Sequence, residues 1–94
     1  MSKSKSKNKS PFVIGNKYFI RSVTFHNVGR VKDIVGGFVI LENASWIADS
    51  GRFNEMLQTG EFNEVEPFKN DVFVNIAGIV DATLFEHELP DGPK

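Results

Sequence analysis

His26 and His87 are the side chains of this sequence best suited to metal or proton chemistry. They would converge on a metal with Glu86 or Glu88 only if the first and last strands were neighbours, and as isolated residues they read as ordinary surface histidines. Ser50 is followed by Gly51 but lacks the G-x-S-x-G frame that strains a nucleophile into a strand-to-helix turn. Glu61, Glu64 and Glu66 have the chemistry of acid/base pairs, yet so polar a stretch reads as a solvated face. Gly36-Gly37 is followed by neither a helix nor a Lys-Ser/Thr pair, so it marks a turn rather than a phosphate loop. The chain has no cysteine, which excludes thiolate catalysis, disulfides and Cys-based zinc sites. The expectation is a non-enzymatic protein with no cofactor and no metal.

Recognition chemistry is better represented. Trp46, Asp49, Ser50 and Arg52 stand close together where a loop is expected to enter a helix. Free backbone N–H groups at a helix start attract anions, and a guanidinium and a planar ring would add to that attraction. These four residues form the expected ligand or partner site, for a small anionic or carboxylate-bearing group; the competing reading is that Arg52 pairs with Asp49 or with Glu55 at i+3. Tyr18 and Trp46 combine an apolar ring with a polar tip, which suits an interface as well as a core.

The elements that must position these groups are mostly strands. Lys17–Phe25 alternates and is rich in β-branched and aromatic residues, Arg30–Ile34 and Phe38–Glu42 flank the Gly36-Gly37 turn, and Val72–Ile76 and Ile79–Phe85 close the series. Between them Asp49 or Ser50 is expected to cap a short helix carrying Phe53, Met56 and Leu57, with Gly60 at its C-terminal stop. Pro67 confines any strand near Glu64 to an edge or its end. The expected core is Phe19, Val23, Phe25, Val31, Ile34, Phe38, Ile40, Val74, Ile76, Val80 and Ala82. Ninety-four residues with 40% hydrophobic and 24% charged side chains allow one domain. The expected fold is mainly β: a small five-stranded SH3/Sm-like barrel with one short inserted helix, since closure removes the edges that so short a chain cannot otherwise protect.

Charge divides the chain. The net charge of -1 conceals four lysines and no acid within residues 1–10, and ten acids against three bases from Asp49 onward. The expected organisation is a disordered basic arm over 1–10, a single β-rich domain over 11–88 and a flexible tail over 89–94. Lys3, Lys5, Lys7 and Lys9 offer a weak footprint for nucleic acid or an acidic protein surface, although four charges on an acidic body condense few counterions. No apolar run approaches a membrane span, so no membrane association is expected.

Two resemblances add to this. Gly29–Leu41 and Val74–Val80 resemble the two motifs of the Sm-like fold, which implies a small barrel and ring-like self-association. That fold's RNA contacts do not carry over, because Val35, Val39 and Ala77 stand where it has Asp, Asn and Arg. Thr24–Arg30, Trp46–Phe53, Asn63–Pro67 and Gly78–Thr83 resemble a family of small bacteriophage and host proteins with which no activity is associated. This implies a phage origin and nothing catalytic. With no catalytic constellation and a compact aromatic-rich domain, the expected function is a phage accessory protein in the host cytoplasm, a homo-oligomer binding a host protein or small ligand, or alternatively a virion subunit using its basic arm.

Overall fold

Tyr18, Phe19 and Ile20 are all buried, and because successive strand residues face opposite ways, the strand that carries them must be covered on both sides. In the computed structural model, which describes residues 10–94, this strand is β1 (Lys17–Ser22). The basic arm expected over 1–10 lies outside the described residues except for Ser10. After β1 come β2 (His26–Val35), β3 (Phe38–Asp49), α1 (Phe53–Thr59), β4 (Glu64–Pro67), β5 (Val72–Asn75), a 3-10 turn (Ile76–Gly78) and β6 (Ile79–Leu84). The strands form one antiparallel sheet ordered β4-β3-β2-β1-β6, with β5 also paired to β3. The fold is therefore mainly β with one short helix, as expected. Six strands are present rather than five, because the Glu64–Pro67 segment joins the edge of β3.

One apolar cluster lies on each face of the sheet. Tyr18, Ile20, Val31, Val39, Leu41 and Ala44 pack with Phe12 and Val74 on one face. On the other, Phe19, Val28, Ile47 and Val65 pack against Met56 of α1, Phe62 and Phe85. The Phe62 ring stacks on Phe85 at 5.6 Å and on Phe19 at 6.2 Å.

Leu41 and Ile47 are an even number of residues apart, which in a regular strand would put both on one face, yet they belong to different clusters. The switch occurs at Asn43, whose φ of 50° inserts an extra residue opposite Gly29. Asn tolerates this left-handed conformation better than most residues. The bulge lets β3 bond β5 along Phe38–Leu41 and β4 along Ser45–Asp49. β3 thus runs to Asp49 rather than stopping at Glu42 as expected. Val28–Ser45 and Arg30–Glu42 are the register pairs that bracket the shift.

Of the expected core, Phe19, Val31 and Val74 are buried and Ile34, Ile40 and Ile76 partly so. Val23, Phe25, Phe38, Val80 and Ala82 are exposed. β1 ends at Ser22, so Val23 and Phe25 belong to the β1–β2 turn, and the face of β3 that carries Phe38 is not the one that buries Val39. The helix begins later than expected: Arg52 is its N-cap residue and makes no side-chain cap bond, while Gly60 ends it in the left-handed conformation as expected. Residues 89–94 return to the sheet. Leu89 packs on the second cluster, and the backbones of Lys94 and Val65 exchange hydrogen bonds of 2.8 and 2.9 Å.

Gly29 follows from the bulge, because a Cβ there would stand 2.9 Å from Ala44 Cβ and 3.1 Å from Leu41 Cβ. Gly29→Ala is expected to cost about 1–3 kcal/mol in denaturant unfolding, the usual penalty of overpacking. In the Gly29→Ala background, Ala44→Gly should cost less than it does alone, the positive coupling of two residues competing for one space.

Candidate functional site

The helix start does not assemble the expected site. Ile47 packs beneath α1, so its strand neighbour Trp46 points to the opposite face of the sheet, away from Arg52. Asp49 ends β3 and accepts a 2.9 Å hydrogen bond from the Gly51 N–H. The Ser50 hydroxyl donates to the Gly51 carbonyl at 3.2 Å. Arg52 is exposed, with its Nε 4.0 Å from the Glu55 carboxylate at i+3. Asp49 and Ser50 thus shape the turn, Arg52 pairs along the helix, and Trp46 belongs to a different surface.

That surface is a groove on the Trp46 face with a cavity volume of about 600 Å³. Phe25 reaches it from the β1–β2 turn, Trp46 from β3, Phe68 from the segment after β4 and Phe73 from β5. The Phe25 and Trp46 rings meet edge to face at 6.4 Å. All four rings are exposed, Phe73 most at 68%. The groove exists because β4 and β5 leave the same edge of β3 on either side of the Asn43 bulge, and Pro67-Phe68 bridge the gap.

Two polar side chains stand out among these rings. Asn27 pairs across strands with Trp46; its amide keeps access to solvent at the groove and makes no hydrogen bond to another described residue. Glu66 also pairs across strands with Trp46 and is the one charged side chain lining the groove. Among the described residues it has no cationic partner. The sequence signal for this site was the aromatic content itself; Phe25 was assigned to the core, and Phe68 and Phe73 were not singled out.

The remaining chemistry-bearing residues hold the structure together. His87 Nε2 donates to the Leu57 carbonyl at 2.8 Å, and its ring packs over Gly60, where any Cβ would lie 2.5 Å from His87 Cβ. His26 packs its ring edge to face on Phe19 at 5.7 Å. Tyr18 is buried, and its hydroxyl oxygen accepts from the Val13 N–H at 2.9 Å. Glu61 pairs with Lys94 at 3.0 Å. Among the described residues no group of three or more His, Asp or Glu side chains is arranged to hold a metal ion. No helix among them is long and apolar enough to cross a membrane.

Arg21 links three elements. Its Nε donates to Asp81 on β6 at 2.8 Å, a second guanidinium nitrogen donates to the other carboxylate oxygen, and the guanidinium lies 5.3 Å from the Phe53 ring centre on α1. The hydrogen bond from Arg21, and then its charge, hold the Asp81 carboxyl below the ordinary aspartate range. A depressed folded-state value stabilises the fold above the unfolded aspartate value of about 4, and that contribution disappears as pH falls through the folded value. In a carboxyl NMR titration Asp81 should therefore titrate below free aspartate. Arg21→Gln should return it toward the ordinary value, and the stability difference between the two proteins should shrink below about pH 4.

Comparison of the chain with protein-family models, with curated proteins and with solved structures finds no match.

Proposed function

We propose that this protein is a non-enzymatic binding module, a small SH3-like barrel whose contact surface is the aromatic groove formed by Phe25, Trp46, Phe68 and Phe73. The observation that carries this reading is four exposed aromatic rings gathered around one cavity. Aromatic side chains are the residues that most often dominate binding energy, and contiguous apolar patches on small proteins commonly mark interaction sites. The barrel reading is supported by connectivity: one 3-10 turn joins β5, on the outer edge of β3, to β6, which pairs with β1. The likeness of Trp46–Phe53 and Asn63–Pro67 to small bacteriophage proteins agrees with an accessory protein that occludes a host protein in the host cytoplasm. Chemical-shift mapping with a library of small aromatic and aliphatic fragments tests the site. Shifts should cluster at Phe25, Asn27, Trp46, Glu66 and Phe73, and Phe73→Ser should abolish them with an unchanged thermal midpoint. Shifts centred on Asp49, Ser50 and Arg52 would move the site to the helix start.

A second reading, self-association as in a virion subunit, is favoured by β6. It pairs only with β1 among the described strands, and Val80 and Leu84 are exposed along it. An unprotected edge of this kind is a template for a strand from a second copy. The Phe85 N–H donates to the Lys17 carbonyl, so by alternation the N–H of Ala82 points away from β1. Ala82→Pro would remove that outward donor, and native mass spectrometry should show an oligomer in the unmodified chain that this variant loses. A monomer at all concentrations would dismiss the reading.

A further inference from the structure

We infer that the groove takes an extended polypeptide segment in which a lysine or arginine stands beside apolar side chains. This rests on the reading of the groove as the binding surface and specifies what fills it. Three features define the occupant. The rings of Phe25, Trp46, Phe68 and Phe73 offer apolar faces that also attract cations. The Asn27 amide, open to solvent at the groove and without a hydrogen-bond partner among the described residues, presents one acceptor and two donors. An amide open to the groove is free to pair with an occupant, and the donor-acceptor pair of a peptide backbone matches it on both counts. Glu66, beside Trp46 and unpaired among the described residues, supplies a negative charge at the same place.

The charge of the lining separates this occupant from the chief alternative. Stacked aromatic rings and an amide would also suit a nucleobase, but no lysine or arginine lines the groove to meet a phosphate. Glu66 is the charged residue of that lining, so the local field disfavours a phosphate and favours a basic side chain.

The test is selection from a synthetic library of random linear peptides against the full chain, followed by titration of selected peptides. Trp46 is the sole tryptophan, so its fluorescence reports occupancy directly. Selected peptides should be enriched in Lys or Arg next to aliphatic or aromatic residues and should shift Trp46 emission. Glu66→Gln, a change at an exposed side chain, should leave the thermal midpoint unchanged and weaken binding about two- to fivefold, the range of an exposed ion pair. The salt dependence of binding should flatten in the same variant. Selected peptides without a basic preference, unchanged affinity in Glu66→Gln, or tighter binding of an oligothymidylate would overturn the inference while leaving the groove as the site. Peptides that bind Phe73→Ser as well as the unmodified chain would overturn the groove reading itself.

Discussion

The close approach of β2 and β3 at Gly29, opposite the Asn43 bulge, is the constraint on which the rest of the structure depends. A single residue in the left-handed region exchanges the two faces of β3 partway along its length. Its first half therefore buries Val39 and Leu41 on one side of the sheet, and its second half buries Ile47 on the other. The exchange needs a partner strand without a side chain at the crossing point, which Gly29 provides. Without it, Val39, Leu41 and Ile47 would all fall on one face and the second cluster would lose Ile47, the residue β3 gives it.

Splitting the core in two has an energetic consequence. Each cluster is small, and neither face alone buries enough apolar surface to order a chain of this length comfortably. The two are coupled through β1, whose consecutive Tyr18, Phe19 and Ile20 belong to alternate clusters. The segment after β6 adds to the second cluster through Phe85 and Leu89, and it is tied down by His87 on α1, by Lys17 Nζ donating to the His87 carbonyl, and by Lys94 on β4. Packing on the helix side is thus finished by residues distant in sequence. The groove side is left with rings that no part of the described chain covers.

That asymmetry links fold to function. The surface that remains apolar after folding is the one where two short strands diverge from a bent third, so the bulge that builds the core also opens the groove. Trp46 and Asn27 are opposite partners on adjacent strands, and Glu66 flanks Trp46 from the other side. Ladder register, rather than loop conformation, sets the spacing of ring, amide and carboxylate at this site.

Local chemistry was legible in the sequence wherever it acts over a few residues. Alternation and β-branching located most strands, Gly36-Gly37 located the hairpin turn, and Gly60 located the helix stop, because these signals depend on φ preferences and side-chain periodicity within one element. Which face of each strand is buried was decided only by the tertiary structure. Periodicity specifies that faces alternate, but whether one face or both are covered depends on distant partners, as at Tyr18-Phe19-Ile20, where Phe12 and Val74 cover one side and Met56 and Phe62 the other. The Asn43 bulge left no periodic trace, so the pattern suggested a strand ending at Glu42 where β3 continues through the bulge to Asp49. For the same reason the pairing of Trp46 with Arg52, six residues apart in the sequence, dissolved, and the association of Trp46 with Phe25, Phe68 and Phe73 emerged: strand pleating turns nearby residues to opposite faces, and cross-strand register joins residues that no local pattern connects.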